Sequence, residues 1–128
     1  MKILVIVARV LLGLMFFVFG LNAFLQFIPV PPMTGPRAEF IGVIMRTHFV
    51  YVVGAVQVIS GALFLAGRYL PLAIALSGPV ILNILVFHFT MDLQGFPPGI
   101  VATLCWLALF WAYRDSFAPL WVAKAPRK

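Results

Sequence analysis

From Tyr69 to Met91 the chain carries no Asp, Glu, Lys or Arg, a run long enough to cross a bilayer as a helix. Inside that run stand Pro79, Asn83 and His88. Hydrocarbon penalises a proline that removes a backbone donor, and it penalises each polar side chain, so all three require partners inside protein or water. Any binding site is therefore expected here, in a segment read as the third of four membrane spans. Composition points the same way. The chain has 128 residues, 64% of them hydrophobic and 9% charged, with a mean hydropathy of +1.13. Soluble domains are about a quarter charged, so this balance is that of a membrane protein.

The expected architecture is an all-α membrane protein, a four-transmembrane-helix bundle forming one integral membrane domain over residues 1–128. Its spans are read at Ile3–Phe27, Thr47–Ala66, Leu70–Met91 and Pro98–Tyr113. A signal peptide is not expected at the start, because the apolar run continues to Ile28 with no small-x-small cleavage site around Asn22-Ala23-Phe24. Between spans one and two, the proline-rich stretch Pro29–Glu39 is expected to be irregular. Phe40–Met45 is read as a short helix in the outer interface. The link Gly67-Arg68-Tyr69-Leu70 is so short that spans two and three must be antiparallel neighbours. The tail's Phe117, Leu120, Trp121 and Val122 are expected among the headgroups.

With four spans, one side holds Lys2, Arg9, Arg68, Arg114, Lys124, Arg127 and Lys128, and the other only Arg37 and Arg46. The positive-inside rule then places both termini in the cytoplasm, which implies the cytoplasmic (inner) membrane. Tyr69, Trp111, Tyr113 and Trp121 fall at the same interface, where amphipathic rings are favoured. The net charge of +6 is spread around apolar runs, so nucleic acid is not an expected partner.

This topology collects the hydrophilic side chains toward the outer mouth. The candidate ligand pocket comprises Asn22, Gln26, Arg46, His48, Gln57, Asn83, His88 and Asp92. Arg46, Gly54, Gln57, Ser60 and Gly61 share one sector of a continuous second span, which should face the interior. His88 and Asp92 share a face at i,i+4 spacing, whereas Asn83 and Thr90 lie about 140° away around the helix. Gly78 and Pro79 should kink span three and free the Ala75 carbonyl, with Gln57 or Asn22 as candidate donors. Gly13 and Gly20 lie nearly opposite Asn22 and Gln26 on span one. That leaves two uses for the glycine face: room for bulky neighbours, or contact with a second copy in a homodimer. His48 and His88 raise axial haem ligation, but at mismatched depths, so haem is disfavoured. No metal site is expected, because the acids are few and scattered. No catalytic triad, P-loop or dinucleotide fingerprint is present, and the single cysteine, Cys105, lies in an apolar run.

The segments ARVLLGLMFFVFGLNAFLQFIPVPPM, GALFLAGRYLPLA, GPVILNILVFHFTMD and WAYR, in that order, resemble the DoxX family of small bacterial and archaeal membrane proteins. The resemblance covers nearly the whole chain. It implies a four-helix membrane bundle with cytoplasmic ends and a link to membrane oxidoreductases, including a thiosulfate:quinone oxidoreductase subunit, and to thiol or oxidative stress. Under this resemblance Asn83 and His88 match the family pattern. Gln57 stands where relatives carry an acidic residue, which removes a proton-titrating group. The expected function is an accessory or quinone- or small-ligand-binding subunit of a membrane redox system, with catalysis by the isolated chain left open but disfavoured. Two other readings stay open, a solute- or lipid-handling protein and a structural membrane scaffold.

Overall fold

The computed structural model describes residues 2–127, apart from the side chains of Gly95 and Phe96. Lys128, counted above on the basic side, lies outside the described residues. The architecture is all-helical: α1 (Lys2–Leu25), α2 (Gly35–Arg46), α3 (Val50–Ala66), α4 (Leu70–Met91) and α5 (Phe96–Ala112). Short 3-10 turns follow α4 at Leu93–Gly95 and α5 at Arg114–Trp121. Helices α1 and α4 are long and apolar enough to cross a membrane, and α2 with α3 make a third candidate if the bent pair is one span. At 1.5 Å per residue α1 is about 36 Å long and α4 about 33 Å, against a hydrocarbon core of about 30 Å. Helix α5, with 17 residues, is about 26 Å long, less than that thickness.

The exterior suits hydrocarbon. Val52 and Ile59 on α3, Leu82, Val86 and Phe89 on α4, and Leu104, Leu107 and Trp111 on α5 are all at least half exposed. Water would penalise so continuous an apolar belt. Inside it, Leu12, Phe16, Phe64, Ile74, Ile81 and Leu109 form the core.

The closest helix contact joins α1 and α3, which run antiparallel with glycines interlocked. A Cβ on Gly61 would lie 2.5 Å from the Phe17 nitrogen and 2.9 Å from the Gly13 carbonyl oxygen. One on Gly54 would lie 2.5 Å from the Ala23 Cβ and 3.0 Å from the Gly20 carbonyl oxygen. Without side chains at these positions the two backbones touch, which is how helices associate where no water drives them together. Gly13 and Gly20 are thus packed against α3 within the chain.

The sequence-based boundaries need three corrections. The irregular stretch ends at Thr34 and not at Glu39, because Gly35-Pro36 opens α2, where a first-turn proline costs no hydrogen bond. Span two begins at Val50, since His48 takes a left-handed φ of 63° and the axis bends by 84° between α2 and α3. Arg46 therefore belongs to a different helix from Gln57 and shares no sector with it. Phe117, expected among headgroups, is instead buried against α5, its ring 5.1 Å from that of Phe110.

Helix α4 runs unbroken through Pro79. Beside the proline, Trp106 of α5 fits against Gly78, and its indole N–H donates to the Ile74 carbonyl at 3.0 Å. The Ser77 hydroxyl donates to the same oxygen at 3.2 Å. Both of these bonds go to Ile74, one residue before the Ala75 carbonyl that Pro79 leaves without its helical donor, and neither Gln57 nor Asn22 donates at this turn.

At the opposite end of α3, Gly67 closes the helix in the left-handed conformation (φ 71°), and Arg9 reaches across from α1. Its Nη1 donates to the Phe64 carbonyl at 2.6 Å, neutralising the negative end of the α3 dipole. Replacing Arg9→Met keeps the stem and removes this charge-assisted bond. Thermal melting in detergent is expected to show a loss of about 2 kcal/mol, whereas an exposed Lys2→Met should melt with the wild type.

Candidate functional site

Two adjoining chambers open at the end of the bundle away from the termini. The smaller, about 410 Å³, lies among α1, α3, α4 and α5 and is lined by Met15, Phe16, Phe19, Gln57, Ile84 and His88, among others. The larger, about 500 Å³, is roofed by α2 through Arg37, Ile41, Ile44 and Met45, and its wall includes Asn22 and Gln26. Phe19, Gln57 and Asp92 line both. Each volume falls in the range of small-molecule sites.

Asp92 is the electrostatic centre. It follows the last turn of α4 and accepts from Arg37 Nη1 of α2 at 2.7 Å. The two side chains are only 12% and 24% exposed, so the pair is largely shielded from solvent. His88, one turn earlier, places Nδ1 3.0 Å from the Asp92 backbone oxygen and 3.6 Å from its carboxylate. A carbonyl oxygen can only accept, so Nδ1 carries the proton in that bond. In the neutral ring Nε2 is then the acceptor. Gly99 of α5 makes room for the imidazole, since a Cβ there would sit 3.1 Å from His88 Cδ2.

Gln57 sits on the partition between the chambers, half-buried on α3. Its amide makes no hydrogen bond to another described residue. An amide with donors and an acceptor, bordering two cavities in an apolar bundle, can hydrogen-bond a molecule in either of them. Of the remaining polar lining, Asn22 is used within the chain. Asn22 Oδ1 accepts the Ile28 N–H at 2.8 Å and fastens the chain where it leaves α1. Gln26 takes a left-handed φ of 51° immediately after the helix end.

The structure therefore brings Asn22, Gln26, Gln57, His88 and Asp92 together around one paired cavity. It leaves out three other candidates. Asn83 is exposed on the outer face of α4 and donates to the Pro79 carbonyl at 2.8 Å, so it satisfies itself on its own helix. Thr90 on the same side does likewise to Val86. Arg46 is exposed near the bend, and His48 stacks on Tyr51, which stacks in turn on Phe24. Sequence reasoning missed Arg37. The signal was available: a shielded carboxylate needs a cation, and the expected topology puts only Arg37 and Arg46 on its side.

Among the described residues no group of three or more His, Cys, Asp or Glu side chains could hold a metal ion. What this arrangement offers is a polar rim of Gln57, His88 and Arg37–Asp92 over an apolar floor. That suits a small, largely apolar molecule with one or two hydrogen-bonding oxygens. Comparison with protein-family models, curated proteins and solved structures finds no match to this chain.

Proposed function

We propose that this chain is a DoxX-like, four-span protein of the cytoplasmic membrane, with both termini in the cytoplasm. In this reading it serves a membrane redox system as an accessory subunit that binds a quinone head group or a ligand of similar chemistry. The short α5 is the fourth span, matched to a locally thinned or tilted bilayer. The basic side with Lys2, Arg9, Arg68 and Arg114 faces the cytoplasm. The carrying observation is the unpaired Gln57 amide on the partition between the two chambers, across from His88. A quinone carbonyl accepts from an amide N–H, and Met15, Phe16, Phe19 and Ile84 offer its ring an apolar bed. Binding asks for no nucleophile or metal, which agrees with reading the chain as a binding subunit.

The test is the lipid-soluble extract of protein purified in mild detergent, analysed for quinone together with redox difference spectra. Wild type is expected to retain quinone near one per chain. Gln57→Leu should lower its affinity by roughly 5–100-fold, the effect of losing a hydrogen bond in a shielded site. Asn83→Leu, on the outer face, should retain quinone as wild type does. A quinone-free extract from wild type, or equal retention in Gln57→Leu, would overturn the reading.

A further inference from the structure

At the opposite end of the bundle, α1 begins where α5 ends, and two grooves flank their seam. One, about 350 Å³, is lined by Lys2, Val5, Ile6, Ala112 and Tyr113. The other, about 410 Å³, is lined by Leu4, Val5, Ala108, Trp111, Ala112 and Arg114. Val5 and Ala112 belong to both, so the grooves share one ridge, with Lys2 on one side and Arg114 on the other. We infer that this seam binds one anionic phospholipid, its phosphate held between Lys2 and Arg114 and its acyl chains lying in the two apolar grooves.

Three observations carry the inference. First, Arg114 is already held in place: Nη1 donates to the Trp111 carbonyl at 2.7 Å, and the guanidinium lies 4.3 Å from the Trp111 ring centroid. A cation fixed over an indole at an interface gives a phosphate a prepared donor without further loss of side-chain freedom. Second, neither Lys2 nor Arg114 forms an ion pair with another described residue, whereas Arg9 on the same end is engaged by α3. Third, the charge at this end is lopsided, with Lys2, Arg9, Arg68, Arg114, Lys124 and Arg127 against Asp115 alone. A water-soluble phosphate would answer the cations and leave the apolar floors bare. A zwitterionic lipid would fill the floors and leave the charge unanswered. An anionic phospholipid does both.

The experiment uses full-length protein in detergent, titrated with phosphatidylglycerol, phosphatidylcholine or glycerol phosphate. Bound lipid is counted by native mass spectrometry, and tryptophan fluorescence, to which Trp111 at the groove contributes, follows occupancy. Phosphatidylglycerol is expected to bind about 10-fold more tightly than phosphatidylcholine, with one molecule retained, and the preference should shrink as salt rises. Glycerol phosphate should not bind. The paired substitution Lys2→Gln with Arg114→Gln should abolish the preference, while Lys124→Gln with Arg127→Gln should keep it within about 2-fold. The salt titration of wild type needs no variant, so misfolding cannot mask the result. Equal binding of the two lipids, equal loss in both variant pairs, or binding of glycerol phosphate as tight as the lipid would overturn the inference. None of these readouts depends on quinone at the opposite mouth.

Discussion

A single methyl group at Gly61 is expected to be among the most damaging changes available to this protein. The new Cβ of Gly61→Ala would lie 2.5 Å from the Phe17 nitrogen and 2.9 Å from the Phe17 Cα, all main-chain atoms of α1. No rotamer change relieves a clash with backbone, so α1 and α3 must separate and every neighbouring contact along their interface loosens. A loss of about 3 kcal/mol is expected, at the upper end of overpacking in a well-filled core. Gly54→Ala should approach the same figure, because Ala23 Cβ and the Gly20 carbonyl stand in its way. Gly42 on α2 supplies the contrast, having nothing within 4 Å of its virtual Cβ. Gly42→Ala should be neutral, or stabilising by up to about 1 kcal/mol through helix propensity. Thermal melting in one detergent compares all three, and a Gly61→Ala protein that melts with wild type would refute the interlocked interface.

The same interface shows what the sequence could and could not disclose. The seven-residue spacing of Gly13 and Gly20, and again of Gly54 and Gly61, is visible in the chain, and it places each pair on one face. Pattern alone does not say which faces meet. A bare glycine stripe is equally suited to a neighbour helix and to a second copy, and only the antiparallel placement of α3 on α1 decides between them. The His88–Asp92 contact was legible because i,i+4 spacing is a local property of a helix. For the same reason the separation of Asn83 and Thr90 from that face could be read by rotation. Arg37 could not be placed by spacing, being fifty-five positions from Asp92, and finding it required asking which cation could balance a shielded carboxylate. The bend at His48 was invisible for another reason. Non-glycine residues take the left-handed conformation only rarely, histidine somewhat more often than most, so nothing in the sequence singles out position 48, where the ring comes to stack on Tyr51.

Helix α2 is the element whose position depends most on a single contact. None of its residues is buried, and it meets α4 chiefly through Phe40 on Phe87, at 5.4 Å between centroids, and through Arg37 on Asp92. Its inner side nonetheless roofs the larger chamber. Arg37→Met should therefore have two consequences. The carboxylate, only 12% exposed, loses its arginine in a partly shielded place, and stability should fall by about 2 kcal/mol, less than for a fully buried pair. The roof also loses its tie, so native-state hydrogen exchange should accelerate across Gly35–Arg46 while α1 and α3 remain protected. Adding Asp92→Asn to Arg37→Met removes the negative charge that Arg37 balanced, so the double variant should be more stable than Arg37→Met alone even though it carries one substitution more. That sign of non-additivity distinguishes a latch from two independent surface charges, whose effects would add. It also bears on the ligand reading. If Asp92 serves to hold α2 in place, the double variant should still bind quinone through Gln57 and His88 in the smaller chamber, with faster release through the loosened roof. Complete loss of quinone in the double variant, with α1 and α3 intact by hydrogen exchange, would instead make the carboxylate part of the binding surface itself.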